Sequence, residues 1–136
     1  MSSRIDQLNQ FIKDDPADPF NHYALALEYC KTDDKRALEI FEHIIRDHRQ
    51  YLPVYYQLAN LYARIGEKKK AIQIFSEGIK TAAEQGDHKT LRELNAALED
   101  LLDNTAWSRW LEENKIDDQG EEQIFDDVIK RLVIRL

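Results

Sequence analysis

The sequence predicts an all-α protein built from pairs of helices joined by short turns. Apolar residues recur at steps of three and four along most of the chain, which places them on one face of a helix in each segment. The few glycines and prolines fall at the turns predicted between these segments, with Gly78 as the exception. In addition, two consecutive segments carry matching residues in the same order. The helix pairs are therefore repeated.

The first predicted helix precedes the repeated pairs. Ser2 or Ser3 can cap it, because a serine side chain accepts a hydrogen bond from an N–H group of the first turn. The helix is predicted to stop at Asp15-Pro16, since proline cannot continue a helix. Its apolar stripe consists of Ile5, Leu8, Phe11 and Ile12.

Four further helices are predicted at about residues 19–31, 34–47, 52–65 and 68–85. Gly66 ends the third of these, because a glycine just past the last turn adopts the left-handed conformation at little cost. The apolar stripe before this glycine is Val54, Leu58, Leu61, Tyr62 and Ile65, and the stripe after it is Ala71, Ile72, Ile74, Phe75 and Ile79.

The two helix pairs match residue by residue. Residues of the first helices correspond at a spacing of 33, and residues of the second helices at a spacing of 34. The difference is one residue missing from the earlier turn, where Thr32-Asp33-Asp34 replaces Ile65-Gly66-Glu67. The matched residues are Leu25, Ala26, Tyr29, Ala37 and Phe41 in the first pair and Leu58, Ala59, Tyr62, Ala71 and Phe75 in the second.

On these residues the chain resembles the tetratricopeptide repeat (TPR) family, whose helix–turn–helix units repeat every 34 residues. The turn Asp15-Pro16-Ala17-Asp18 fits the family's turn between repeats and gives the same register. The resemblance covers about residues 3–85, with departures: His22 and Tyr55 replace tryptophan, and Gly78 replaces alanine. It implies a solenoid coiled as a right-handed superhelix and a non-catalytic protein-interaction module.

The resemblance also implies a ligand-binding surface, because the first helix of each repeat lines the concave side of the stack. The family positions that face this groove are aromatic at one end and basic at the other, which suits a peptide or helix with an acidic element. Tyr23 and Tyr56 can instead pack between helices. The candidate groove residues are Phe20, Tyr23, Leu27, Lys31, Tyr56, Asn60 and Arg64, and the same positions include Cys30, Pro53 and Ala63.

A sixth helix is predicted after the repeats, capped by Asp87 or Thr90. We interpret it as a capping element that covers the open end of the stack, because each repeat buries its core only against its neighbours. Residues 1–103 are therefore predicted to form a helical repeat domain with a capping helix. The stripe of the sixth helix is Leu91, Leu94, Leu98, Leu101 and Leu102.

Residues 104–136 are predicted to form an acidic linker and a C-terminal amphipathic helix. Residues 112–127 hold eight acidic residues and one lysine, Lys115. The apolar stripe that follows needs a surface to cover, and it can fold over its own groove, occupy a neighbour's groove or pair with its own copy. The large apolar stripe favours self-association as a homodimer. The predicted docking residues are Trp107, Trp110, Ile124, Phe125, Val128, Ile129, Leu132 and Val133.

Composition argues against several classes of partner. The net charge of −7 disfavours a nucleic-acid surface, which requires a basic excess. No apolar run approaches the roughly 18 residues of a membrane span. The lone Cys30 rules out an internal disulfide and suits a reducing compartment. We therefore expect a cytoplasmic protein, provided that the chain begins at its native start.

No catalytic or metal-binding pattern is recognised in the sequence. The four histidines lack a metal spacing such as HExxH, and His43 and His48 are five apart, on different helix faces. Cys30 has no histidine pattern beside it, and no glycine-rich phosphate loop occurs. We predict no enzymatic activity, no metal and no cofactor. The expected partner is an unidentified protein or peptide, and a structural role by homo-oligomerisation is the alternative.

Overall fold

The computed structural model describes residues 3–102, which form six α-helices joined by short turns. Each helix packs on the next along the whole series, so the helices form a stack. The predicted all-α helical repeat solenoid is confirmed for this part of the chain. The helices are α1 (Arg4–Asp14), α2 (Pro19–Tyr29), α3 (Asp34–Asp47), α4 (Pro53–Arg64), α5 (Lys68–Gln85) and α6 (His88–Leu101).

The ends of the helices follow local side-chain chemistry. Of the two serines at the start, Ser3 caps α1: its hydroxyl accepts from the Asp6 backbone N–H at 3.1 Å, and the Asp6 carboxylate accepts from the Ser3 N–H at 3.3 Å. Asp87 caps α6 by accepting from the Thr90 N–H at 3.1 Å. Gly66 follows α4 with a φ of 90°, which glycine adopts without strain. The predicted bounds therefore differ from the observed ones by only one or two residues.

Matched residues of the two repeated pairs are buried alike. Ala26 in α2 and Ala59 in α4 are both 0% exposed, and they belong to the small residues that let helices approach. Phe41 in α3 and Phe75 in α5 are 0% and 1% exposed. The repeated sequence pattern is therefore the pattern of the core, which runs from α2 to α6.

Among the glycines within residues 3–102, Gly78 is the one that does not lie at a turn, and it marks a close approach of α4 and α5. A methyl group at Gly78 would lie 2.7 Å from the Cβ of Tyr55 and 3.1 Å from Cδ1 of Leu94. Tyr55 is itself buried, and its hydroxyl donates to the Arg49 carbonyl oxygen at 2.6 Å. Glycine replaces the alanine of the family pattern here because the Tyr55 side chain occupies the space.

No helix within residues 3–102 is long and apolar enough to cross a membrane. The predicted segment 104–136 lies outside the described residues, and so do all of the predicted self-docking residues. Their role stays a prediction. These residues are Trp107, Trp110, Ile124, Phe125, Val128, Ile129, Leu132 and Val133.

Candidate functional site

Two adjoining cavities open on the side of the stack formed by α2, α4 and α6. The larger has a volume of about 570 Å³ and lies between α4 and α6. The smaller, of about 320 Å³, lies between the start of α4, the start of α6 and Tyr23 of α2. Tyr56 and Glu93 line both cavities, so the two lie side by side. We call this pair of cavities the first-helix groove.

Tyr56 stands at the junction of the two cavities and leaves 42% of its surface exposed. Asn60 and Ala63 follow it at steps of four and three residues, so all three lie on one face of α4. Both line the larger cavity. The structure therefore brings the predicted residues Tyr56 and Asn60 together on the wall of the groove.

Tyr23 contributes to the smaller cavity and also packs between helices. Its ring lies 5.6 Å from the ring of Tyr51 and 6.2 Å from that of Phe41, measured between centroids. Burial raises the pKa of the Tyr23 hydroxyl, although a hydrogen bond with Gln57 acts in the opposite direction. Tyr23 is therefore a half-buried part of the wall, with less contact area to offer than Tyr56.

Pro53 lines the smaller cavity, whereas the predicted residues Phe20, Leu27, Lys31 and Arg64 line neither. Phe20 is 57% exposed at the start of α2, and Leu27 packs against the core. The Lys31 ammonium lies 3.1 Å from the Glu28 carboxylate. The Arg64 guanidinium lies 2.8 Å from the Asp34 carboxylate.

Both cations are more than half exposed, and such surface pairs contribute little to stability. The two pairs reduce the positive charge of this surface, because each cation already has a carboxylate beside it. The basic end that the sequence analysis expected is thus neutralised by neighbouring carboxylates.

Helix α6 supplies groove residues that the sequence analysis missed. Glu93, Ala96, Ala97 and Asp100 all line the larger cavity opposite α4. The sequence analysis interpreted α6 only as a capping element. In the structure it packs on α5 and takes the place of a third groove-lining helix.

The signal that could have identified these residues is Leu94. It is 0% exposed, like Leu58 of α4, as expected for the corresponding core position of α6. Counting onward from Leu94 as from Leu58 places Ala96 and Asp100 at groove-facing positions. Leu98 of the same helix is also 0% exposed, so the assignment of Leu94 rests on the sequence register rather than on burial alone.

The larger cavity combines small apolar side chains with carboxylates. Ala63, Ala96 and Ala97 leave space between the helices. Glu93 and Asp100 are seven residues apart on α6, which places them on the same face about 10.5 Å from one another along the axis. Neither carboxylate takes part in a hydrogen bond or ion pair within residues 3–102.

Reactive chemistry has little support in the described part of the chain. Cys30 is half-buried, and burial raises the pKa of its thiol, which keeps it protonated at neutral pH. Among residues 3–102, no group of three His, Cys, Asp or Glu side chains is arranged to hold a metal ion. The arrangement is suited to binding through shape, aromatic contact and charge.

Comparison with known proteins agrees with this architecture. The sequence profile of the tetratricopeptide repeat family matches residues 35–103, from the start of α3 through α6. The solution NMR structure of a tetratricopeptide repeat domain protein from Salinibacter ruber is 41% identical, with 64% of this chain and 89% of that chain covered and a TM-score of 0.61. A crystal structure of a tetratricopeptide repeat domain protein from the same organism is 40% identical, with 62% of this chain and 94% of that chain covered and a TM-score of 0.58. No curated protein gives a significant match. The chain belongs to the tetratricopeptide repeat family.

Proposed function

We propose that this protein is a non-catalytic interaction module that binds a peptide or helix of another protein in the first-helix groove. Tetratricopeptide repeats generally mediate protein–protein interaction, and the groove gives this chain a surface for it. The observation that carries the proposal is Tyr56, which is exposed at the junction of two cavities. Exposed aromatic residues of this kind supply much contact area at a low entropic cost.

The dimensions of the groove support a peptide ligand. A cavity of about 570 Å³ accommodates side chains, and the second cavity beside it lets a longer segment follow α4 past Tyr56. Asn60 adds both a donor and an acceptor one turn from Tyr56. An amphipathic helix laid in a groove is one of the recurring modes of peptide recognition.

The composition of the groove supports a binding function over a catalytic one. Among the residues that line the two cavities there is no His, Cys, Lys or Arg. Its only carboxylates are Asp87, which caps α6, and the Glu93–Asp100 pair, whose members are two turns apart. The Thr90 hydroxyl donates to the Asp87 carboxylate at 2.8 Å, and this contact belongs to the cap of α6.

The test is partner capture by the full-length chain followed by titration with the purified partner. We expect Tyr56→Ala to weaken binding about tenfold or more, because an aromatic residue at the centre of an interface contributes disproportionately. Phe20→Ala is the matched control, since Phe20 is also aromatic and exposed but lies outside both cavities. Equal affinity of wild type and Tyr56→Ala would contradict the proposal.

The second candidate is a structural role in which residues 104–136 assemble the protein into a homodimer. It is supported by the apolar stripe of the C-terminal segment, which includes Ile124, Val128 and Leu132. Size-exclusion chromatography with light scattering should then give a dimer for the full-length chain and a monomer for a chain ending at Asn104. A full-length monomer at high concentration would contradict self-association. If truncation increased peptide binding, the segment would cover its own groove instead.

We further propose a cytoplasmic location, for which the single, unpaired Cys30 is the support. The acidic net charge of −7 supports a protein partner over a nucleic acid. Fluorescence microscopy of the tagged chain in its native cell would test the location.

A further inference from the structure

We propose that the first-helix groove selects a segment of a partner protein in which a lysine or arginine stands beside an apolar side chain. This inference rests on the proposed function, because it names the chemistry of the ligand for the same groove. The ligand charge proposed here is positive, whereas the sequence suggested an acidic element in the partner.

The first step is that the cations counted in favour of an acidic partner are not available to one. Lys31 pairs with Glu28, and Arg64 pairs with Asp34. Neither lines the two cavities. An anionic ligand would have to compete with these carboxylates for each cation, and it would meet no other lysine or arginine along the groove.

The second step is the charge of the cavity itself. Glu93 lines both cavities and Asp100 lines the larger one. Both side chains are solvent-exposed, and no ion pair within residues 3–102 involves them. The ionised groups at the mouth of the larger cavity are therefore carboxylates, which attract a cationic head group.

The third step is shape. Lysine and arginine have long apolar stems with a charge at the end, so they bury the stem against apolar surface and keep the head at the rim. The small side chains of Ala63, Ala96 and Ala97 leave room for such a stem. The exposed ring of Tyr56 offers a face for the cation, an additional attraction in the same cavity.

The experiment must separate the groove from the overall negative charge of the chain, which is −7 and attracts any cationic peptide. Two helical probe peptides are compared that share one leucine stripe, flanked by lysines in one peptide and by glutamates in the other. Their binding to the full-length chain is measured by fluorescence anisotropy at low and moderate salt. We expect the lysine peptide to bind more tightly.

Substitution in the groove should change this preference. The neutral double variant Glu93→Gln with Asp100→Asn is expected to bind the lysine peptide about three- to tenfold more weakly, as for two solvent-exposed ion pairs. Glu93→Lys with Asp100→Lys should reverse the preference toward the glutamate peptide. The matched control is Asp15→Lys with Glu39→Lys, which makes the same change in net charge at exposed sites outside both cavities. Circular dichroism verifies that each variant is folded.

The proposal is overturned if Glu93→Lys with Asp100→Lys and the control Asp15→Lys with Glu39→Lys lose affinity for the lysine peptide equally. The overall charge of the chain would then explain the binding. The proposal is also overturned if wild type prefers the glutamate peptide or binds neither, as when another segment occupies the groove. The variant Tyr56→Ala distinguishes a failure of the cation preference from a failure of peptide binding in the groove. If Tyr56→Ala loses peptide binding while the charge variants keep it, the groove binds peptides and only the preference for a cation is wrong.

Discussion

The helix pairs α2–α3 and α4–α5 share one sequence pattern but differ in how much of each helix is buried. Helix α2 has two buried residues and α3 has three, whereas α4 has five and α5 has nine. The second pair lies between α3 and α6, while the first has only the short α1 on its outer side. Similar repeats therefore contribute different amounts to stability, depending on their position in the stack.

His22 and Tyr55 illustrate this difference, because they occupy the same position in the two repeats. Each binds a backbone carbonyl six residues earlier: His22 Nε2 lies 2.9 Å from the oxygen of Pro16, and the Tyr55 hydroxyl lies 2.6 Å from that of Arg49. The residue thus ties the preceding turn to the first helix in both repeats. Tyr55 is 1% exposed, whereas His22 is only half-buried.

The largest expected effect is at this position. Tyr55→Ala should lower the free energy of unfolding by about 3–5 kcal/mol, because it removes a buried aromatic ring and leaves a cavity. His22→Ala should cost clearly less, since part of that side chain is already in water. Urea denaturation of both variants measures the difference. Equal losses would show that the position of a repeat in the stack does not determine its contribution to the free energy of unfolding.

Ala26 and Ala59 sharpen the comparison, because here the two repeats are buried equally. Ala59→Leu should overpack a helix crossing and lower the free energy of unfolding by about 1–3 kcal/mol. Ala26→Leu should cost a similar amount. Thermal melts of the two variants provide the measurement, with Ala24→Leu on the half-buried face of α2 as a milder control. No loss for Ala59→Leu would contradict the assignment of Ala59 to a close helix crossing.

The smallest expected effect compares the starts of α4 and α6. Helix α4 begins without a side-chain cap, whereas Asp87 caps α6. Hydrogen bonds from the Thr90 backbone N–H and hydroxyl hold the pKa of Asp87 below its ordinary value. A carboxyl with a lowered pKa in the folded state stabilises the fold above its unfolded pKa, and this contribution disappears as the pH falls through the folded pKa.

Asp87→Asn keeps a capping side chain but removes the charge. We expect a small decrease in melting temperature at neutral pH, and the difference from wild type should vanish in acid. Melting curves across this pH range test the expectation. Asp87→Ala serves as the control, because losing the cap itself should lower the melting temperature at every pH. A pH-independent effect of Asp87→Asn would assign the role of Asp87 to hydrogen bonding alone.

Local patterns in the sequence predicted the helices well, because their causes are local. Apolar spacing, Pro16 and Gly66 depend on a few neighbouring residues. The register of the repeats was also predictable, since it depends on matched residues. The choice of Ser3 over Ser2 as the cap of α1 required backbone geometry.

The candidate groove was predicted less completely, because its charge depends on contacts between helices. The pair of Lys31 with Glu28 is local, at three residues apart, and could have been recognised on a helix. Arg64 and Asp34 are thirty residues apart in sequence, and only packing brings them together. The contribution of Asp100 depended on recognising α6 as a groove-lining helix.

The contact between Tyr55 and Gly78 restricts how these repeats can be recombined. The corresponding residues of the first pair are His22 and Ile44. A chimera that carried α3 in place of α5 would bring isoleucine to a site where the Tyr55 side chain leaves no space for a single methyl group. A crossover in the turn at Gly66 would separate Tyr55 from Gly78, the residue that leaves space for its side chain. The unit that evolution or an engineer can transfer is therefore the complete helix pair.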